Sequence, residues 1–135
     1  MITLEDYFGK WRDVATDEHV ANAVALLRSV NALHDALVTM GVTFPYNKQT
    51  GSLVSGSLYG GYRPQDCPQG APQSAHKLGL AVDLYDPDGE IDSTLLKHQD
   101  LLIQYGIFIE HPDDTVHWSH WSIKPPKSGK HVFHP

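Results

Sequence analysis

The stretch Ser74-Ala75-His76-Lys77-Leu78-Gly79-Leu80-Ala81-Val82-Asp83-Leu84-Tyr85 decides how this chain folds. Leu80 to Tyr85 is a short apolar strand interrupted by one acid, Asp83, and it ends at the turn Asp86-Pro87-Asp88-Gly89. Burying an ionised carboxylate in an apolar strand costs several kcal/mol unless the group is paired or bound to a metal, so Asp83 needs a partner. His76 lies seven residues earlier, across a Gly79 turn that lets the loop fold back and bring the imidazole beside the carboxylate. Two metal ligands on adjacent segments would satisfy both residues. A plain His–Asp hydrogen bond, or Asp83 capping a turn, would do so as well.

Outward from this strand, helices stand on either side. Thr16 precedes a run from Asp17 to Met40 in which Val20, Val24, Leu27, Val30, Leu33 or His34, and Leu37 recur at three- and four-residue steps. Asp17 and Glu18 fall in the first turn and Gly41 follows the end, which predicts a capped amphipathic helix. A second helix is predicted from Ser93 to Tyr105, with Asp92 as N-cap and Gly106 as stop. Between Thr43 and Pro72 the chain is rich in Gly, Pro, Ser and Tyr, with one β-like piece around Leu53 to Ser57; this connection is too long to be idle and suggests a site. Two further strands are expected at Ile107 to Glu110 and Val116 to Ile123, and the tail Lys124 to Pro135 reads as a basic loop anchored by Val132-Phe133. This order predicts a small α+β domain spanning 1–135, with helices packed on one face of a mostly antiparallel sheet.

Composition narrows the function classes. The 135 residues are 41% hydrophobic and 19% charged, enough to bury roughly two-thirds of the unfolded surface without disulfides. A formal net charge of −6 and the lack of a Lys/Arg stripe argue against nucleic acid as a partner. The single cysteine, Cys67, cannot anchor a thiolate cage, so any metal site must be built from His and carboxylates. No apolar run approaches 18 residues, so membrane insertion is not expected, and MITLEDYFGKW is not a secretory signal. The expectation is a monomer that is cytoplasmic as synthesised. Nine histidines, five of them in the last 25 residues, raise the expectation of a metal or acid/base site.

Two further clusters carry possible chemistry. In Val116-His117-Trp118-Ser119-His120-Trp121, residues two apart on a strand share a face and residues three apart do not, so His117 and His120 should not both point into one site. In Tyr59-Gly60-Gly61-Tyr62-Arg63-Pro64, the glycines allow a tight backbone, and an arginine held there can bind a carboxylate or stabilise an oxyanion. Cys67, His131, His134, His19, His34 and His98 are adequately explained as bystanders, solvated groups or helix-surface residues.

Together, Gly61-Tyr62-Arg63, the S-x-H-x-x-G-x-A-x-D run from Ser74 to Asp83, and Trp118-Ser119-His120 resemble the M15 family of zinc peptidases. This is the D-Ala-D-Ala carboxypeptidase and L-alanyl-D-glutamate endopeptidase group, which includes bacterial cell-wall enzymes and phage endolysins. The stretch from Gly106 to Phe133 is similar to the end of its phage and prophage branch, and the resemblance covers roughly residues 16 to 135. It implies an M15 or hedgehog-like fold with the metal site at the sheet, and one Zn2+ held by His76, Asp83 and His120. It also implies hydrolysis of an amide in peptidoglycan stem peptides by zinc-activated water, as a carboxypeptidase or an endopeptidase.

The same resemblance makes Arg63 the candidate for oxyanion stabilisation or for gripping a substrate carboxylate, and assigns Tyr62, Ser74 and Trp118 to substrate binding. Many relatives place an acid three residues before the last zinc ligand. Here that position is His117, which is placed first as the catalytic base, with Glu110 second. A phage enzyme of this kind would be released by a holin or packaged in a virion, whereas a housekeeping peptidase would act on free D-amino-acid dipeptides. The alternative from another class is a non-catalytic, zinc-stabilised binding module of the same fold, such as a phage structural or cell-wall-binding protein.

Overall fold

The computed structural model describes residues 1–135. Its elements are α1 (Leu4–Phe8), α2 (Asp17–Thr39), β1 (Ala81–Tyr85), α3 (Glu90–Lys97), α4 (Gln99–Tyr105), β2 (Phe108–Glu110), β3 (Trp118–Ser122) and β4 (Val132–Phe133). The strands form one sheet in the order β1-β3-β2-β4, antiparallel except for the β2–β4 pair. This is the small α+β domain with a mostly antiparallel sheet that the element order predicts.

The long helix starts where its caps require. The Thr16 hydroxyl accepts a hydrogen bond from the His19 amide at 3.1 Å, and Asp17 and Glu18 occupy the positive end of the helix. Ala23, Leu26, Leu27, Val30, Leu33 and Leu37 recur at helical spacing and are buried. They share one core with Val82 and Leu84 of β1, Ile109 of β2 and Trp121 of β3, which lie on one face of the sheet. The alternate residues of β1 and β3, among them Asp83 and His120, therefore face the other way, and that face carries the site.

Three elements differ from expectation. The predicted helix 93–105 is two helices that break at His98, whose backbone (φ −132, ψ 51) is not helical. Its start moves upstream to Glu90: Gly89, not Asp92, stands at the N-cap, and the two Asp86 carboxylate oxygens accept from the first-turn amides of Ile91 and Asp92, both at 3.1 Å. Asp92 is instead buried inside α3, where it accepts hydrogen bonds from Thr115 and Ser119. The β-like piece 53–57 makes only a single bridge, Val54 to Leu84, beside the edge of β1. Val116 and His117 precede β3 rather than belonging to it.

The short α1 docks the N-terminal segment through the Tyr7 hydroxyl, which donates to the Ala81 carbonyl at 2.9 Å. Two glycines are required by this packing. Gly79 has φ +78, and a Cβ there would stand 2.6 Å from the His19 carbonyl oxygen; at Gly61 a Cβ would meet the Tyr7 carbonyl oxygen at 2.0 Å. The first lets the chain turn from His76 into β1. The second lets the Gly61-Tyr62-Arg63 segment lie against α1, with the Tyr62 amide donating to the Tyr7 carbonyl at 3.0 Å.

Candidate metal centre and its cleft

Each side chain of the centre is positioned by a different element. His76 lies in the 3-10 turn Ala75–Leu78, which ends at left-handed Gly79 and is tied to α2 by Asn22 Nδ2, donating to the Leu78 carbonyl at 2.8 Å. Asp83 sits at the middle of β1 and pairs directly with His120 of β3. All three residues are buried, and their ligand atoms lie within 4.8 Å of one another. Asp83 Oδ1 is 2.9 Å from His120 Nδ1 and 3.2 Å from His76 Nε2.

The tautomer of His76 follows from its neighbours. Nδ1 stands 2.8 Å from the carbonyl oxygen of Gly61. A carbonyl can only accept, so Nδ1 carries the proton. In a neutral ring, Nε2 then points a lone pair at the Asp83 carboxylate 3.2 Å away. Two lone pairs in contact require a positive species between them, either a second proton on the ring or a metal ion. The Gly61 carbonyl orients the imidazole as an outer-shell partner orients a metal-ligating histidine.

The donor set fits a metal ion. Nitrogen and oxygen ligands of one tetrahedral ion stand about 3.3 Å apart, close to the separations observed here. Two imidazoles and one carboxylate would leave a coordination position free for water or substrate. His76, Asp83 and His120 thus form a buried group that could hold a metal ion.

Charged neighbours complete the electrostatics. Arg63 donates through Nε to the Tyr59 carbonyl at 2.9 Å and through Nη2 to Asp83 Oδ2 at 3.3 Å. Burial pushes the Asp83 carboxyl up, but the charges and hydrogen bonds of His76 and His120 outweigh it and hold the group well below the usual carboxylate range. For His120, burial works against the charged ring, yet the Asp83 hydrogen bond and the Asp83 and Glu110 charges raise its pKa. Glu110, the last residue of β2, brings Oε1 to 3.9 Å from His120 Nε2. Burial pushes the Glu110 carboxyl above its ordinary value, with His120 pulling it down and Asp83 pushing it further up.

These groups open into a cleft of about 610 Å³, whose walls also include Ser74, Trp118, Lys124 and Phe133. The wall formed by the loop before His76 is held by buried Lys77, whose ammonium donates to the carbonyls of Cys67 at 2.8 Å and Gly70 at 3.4 Å. Lys124 Nζ donates to the Gln73 carbonyl at 2.9 Å and ties the C-terminal segment to the same loop.

Seven of the nine residues expected at the site, Arg63, Ser74, His76, Asp83, Glu110, Trp118 and His120, line this cleft. Two lie elsewhere. Tyr62 is 2% exposed, packed against Phe8, with its hydroxyl 2.8 Å from His19 Nδ1, so it supports the core and does not meet a substrate in the cleft. His117 adopts φ 78, which turns its exposed ring away from the cluster and sets Nδ1 3.1 Å from the Pro87 carbonyl oxygen. The Gly61 carbonyl and buried Lys77 escaped the sequence reading. No residue type marks a carbonyl that orients a histidine, and a lysine beside a ligand reads as solvated until its burial is seen. No family model, curated protein or solved structure matches this chain.

Proposed function

We propose that this chain is a zinc peptidase of the M15 type that hydrolyses an amide bond in peptidoglycan stem peptides. The observation that carries this reading is the convergence on one cleft of the His76–Asp83–His120 group, a free carboxylate at Glu110 and a guanidinium at Arg63. His76, Asp83 and His120 would hold the ion. When bound there, zinc supplies Lewis acidity toward a substrate carbonyl and acidifies water at neutral pH.

The remaining work falls to this chain's own groups. Glu110 is the base that takes the proton from the attacking water, since it is the carboxylate beside His120 that ligates nothing, and burial moves its pKa toward the operating pH. His117, the other candidate, is turned toward Pro87. Arg63 presents positive charge where negative charge develops on the carbonyl oxygen, and its Tyr59 and Asp83 contacts fix its place before substrate arrives. Ser74 and Trp118 contribute cleft wall for the peptide.

The competing role, a metal-stabilised binding module, would call for a closed site with a fourth protein ligand. Only three ligating groups converge, and His117 is not among them. Digestion of purified peptidoglycan and of defined stem peptides, read by mass spectrometry, tests the proposal. Zinc-loaded protein is expected to cleave, and chelated protein and His120→Ala are expected not to. Absence of any chelator-sensitive cleavage refutes it.

A further inference from the structure

The long connection between α2 and β1 builds a depression of its own, and the loop that forms it is tightly held. Asn47 is buried at the loop's centre: its Nδ2 donates to the carbonyls of Val54 and Gly56, both at 2.8 Å, and its backbone amide donates to the Ser52 carbonyl at 2.8 Å. Thr50 Oγ1 donates to the same Val54 carbonyl at 2.8 Å. Against this loop lies a depression of about 600 Å³, whose walls include Tyr46, Gln49, Tyr85, His117 and Trp118. Tyr85 and Trp118 oppose each other across β1 and β3, two residues along from the Asp83–His120 pair and on the same face, and Trp118 is a wall of the metal cleft as well.

We infer that this depression is a saccharide-binding site. Its aromatic surface is presented rather than packed away: Tyr46 is 63% exposed, yet its hydroxyl donates to the Gly51 carbonyl at 2.5 Å, which fixes the ring before a ligand arrives. A ring held in this way offers a flat apolar face to the C–H side of a sugar at little cost in entropy. Around it stand polar groups that bond nothing within the chain, namely the Trp118 indole N–H, the Tyr85 hydroxyl and the Gln49 side-chain amide. His117 adds an acceptor. Its Nδ1 faces the Pro87 carbonyl at 3.1 Å and so carries the proton, which leaves a lone pair on Nε2 of the neutral ring. The left-handed backbone at His117, φ 78, is what sets the ring at this rim.

Other occupants fit less well. No carboxylate lines the depression, so nothing there attracts a metal ion or a basic side chain. An extended peptide finds no strand edge to pair with, because the amides of Asp83 and Tyr85 on the outer side of β1 already donate to the carbonyls of Gly60 and Leu53 at 2.7 and 2.8 Å. Mixed donors and acceptors around an aromatic face suit a neutral ligand rich in hydroxyl and amide groups, such as an N-acetylated sugar, and the volume lies in the range of small-ligand sites. The inference goes beyond the hydrolase reading and does not depend on it; under that reading the saccharide is the glycan to which the stem peptides are joined.

The probe is the β-1,4-linked tetramer of N-acetylglucosamine, which carries no peptide, titrated into the full chain and followed by backbone amide shifts. Saturable shifts are expected at Tyr46 to Gln49, Tyr85 and Trp118, with binding at least about fivefold weaker in Tyr46→Ala and in Tyr85→Phe. No saturable shift at about 10 mM tetramer overturns the inference, as does wild-type affinity in either variant. The stem pentapeptide without sugar is the contrast. It is expected to leave these residues unmoved, and shifts equal to those of the tetramer would make the depression a peptide subsite and overturn the inference. Binding of the tetramer by a chain that cleaves no stem peptide removes the hydrolase reading and leaves this one standing.

Discussion

Asp83 of β1 stands directly opposite His120 of β3, and one of its carboxylate oxygens lies 2.9 Å from His120 Nδ1 and 3.2 Å from His76 Nε2. A single oxygen thus serves two imidazoles, one fixed by a strand and one by a loop. Asp83→Asn keeps the shape and removes the charge that makes the site attractive to a cation. Its affinity for zinc should fall at least ~100-fold in a competition titration, because loss of an outer-shell partner alone costs 10- to 100-fold. An unchanged affinity would mean that the carboxylate is not a ligand.

The two candidate bases separate by position. Glu110→Gln in zinc-loaded protein should lower kcat by about 10²–10⁴ while zinc content stays at one per chain, and His117→Ala should lower kcat less than about tenfold. In metal-free protein, burial holds the Glu110 carboxyl above its ordinary value, so its titration followed by NMR should lie above the usual carboxylate range. Equal losses in both variants would count against Glu110.

Asp92 makes a pH-dependent contribution to folding. Burial, partly offset by the Ser119 and Thr115 hydrogen bonds, lifts its carboxyl from 3.8 to about 6. The folded state holds this proton more tightly than the unfolded state does. Its contribution is therefore fully present below pH 3.8 and is lost as pH rises through about 6. Relative to Asp92→Asn, the wild type should lose roughly 3 kcal/mol of unfolding free energy across that window, measured by urea titration at several pH values. Parallel pH dependences for the two proteins would show that Asp92 is not the titrating group.

Gly79→Ala should destabilise the fold by about 2–4 kcal/mol, since it combines an unfavourable left-handed backbone with a clash. The new Cβ would stand 2.6 Å from the His19 carbonyl oxygen, at the turn that carries His76 into β1. Thermal unfolding should shift down by roughly 6–16 °C, and zinc affinity should fall with it, because the same turn places the ligand. A neutral substitution would show that α2 and the turn separate easily.

How much of this was legible in the sequence depends on whether the controlling contact is local. The helix 17–39 was, because its caps and apolar spacing lie within one segment. Asp83 was, as a lone acid between Val82 and Leu84 that needed a partner. That His120 rather than His117 meets it was half legible: the strand period forbids both from facing one side, but the left-handed turn at His117 that decides between them is only weakly signalled by the residue type. The break at His98 was hidden because apolar residues continue at helical spacing on both sides of it, and Asp92 passed for a cap because its partners, Thr115 and Ser119, are more than twenty residues away. Tyr62 shares a motif with Arg63, yet consecutive residues point apart, and the tyrosine enters the core while the arginine meets Asp83. The short α1 and β4 fall below the length at which periodicity can be read.

Whether His76, Asp83 and His120 together hold a metal ion is decided by elemental analysis of protein purified without chelator. One zinc per wild-type chain is expected, and near none in His120→Ala. Wild-type protein that carries no metal, and whose melting temperature does not move when zinc is added, would contradict a metal centre there.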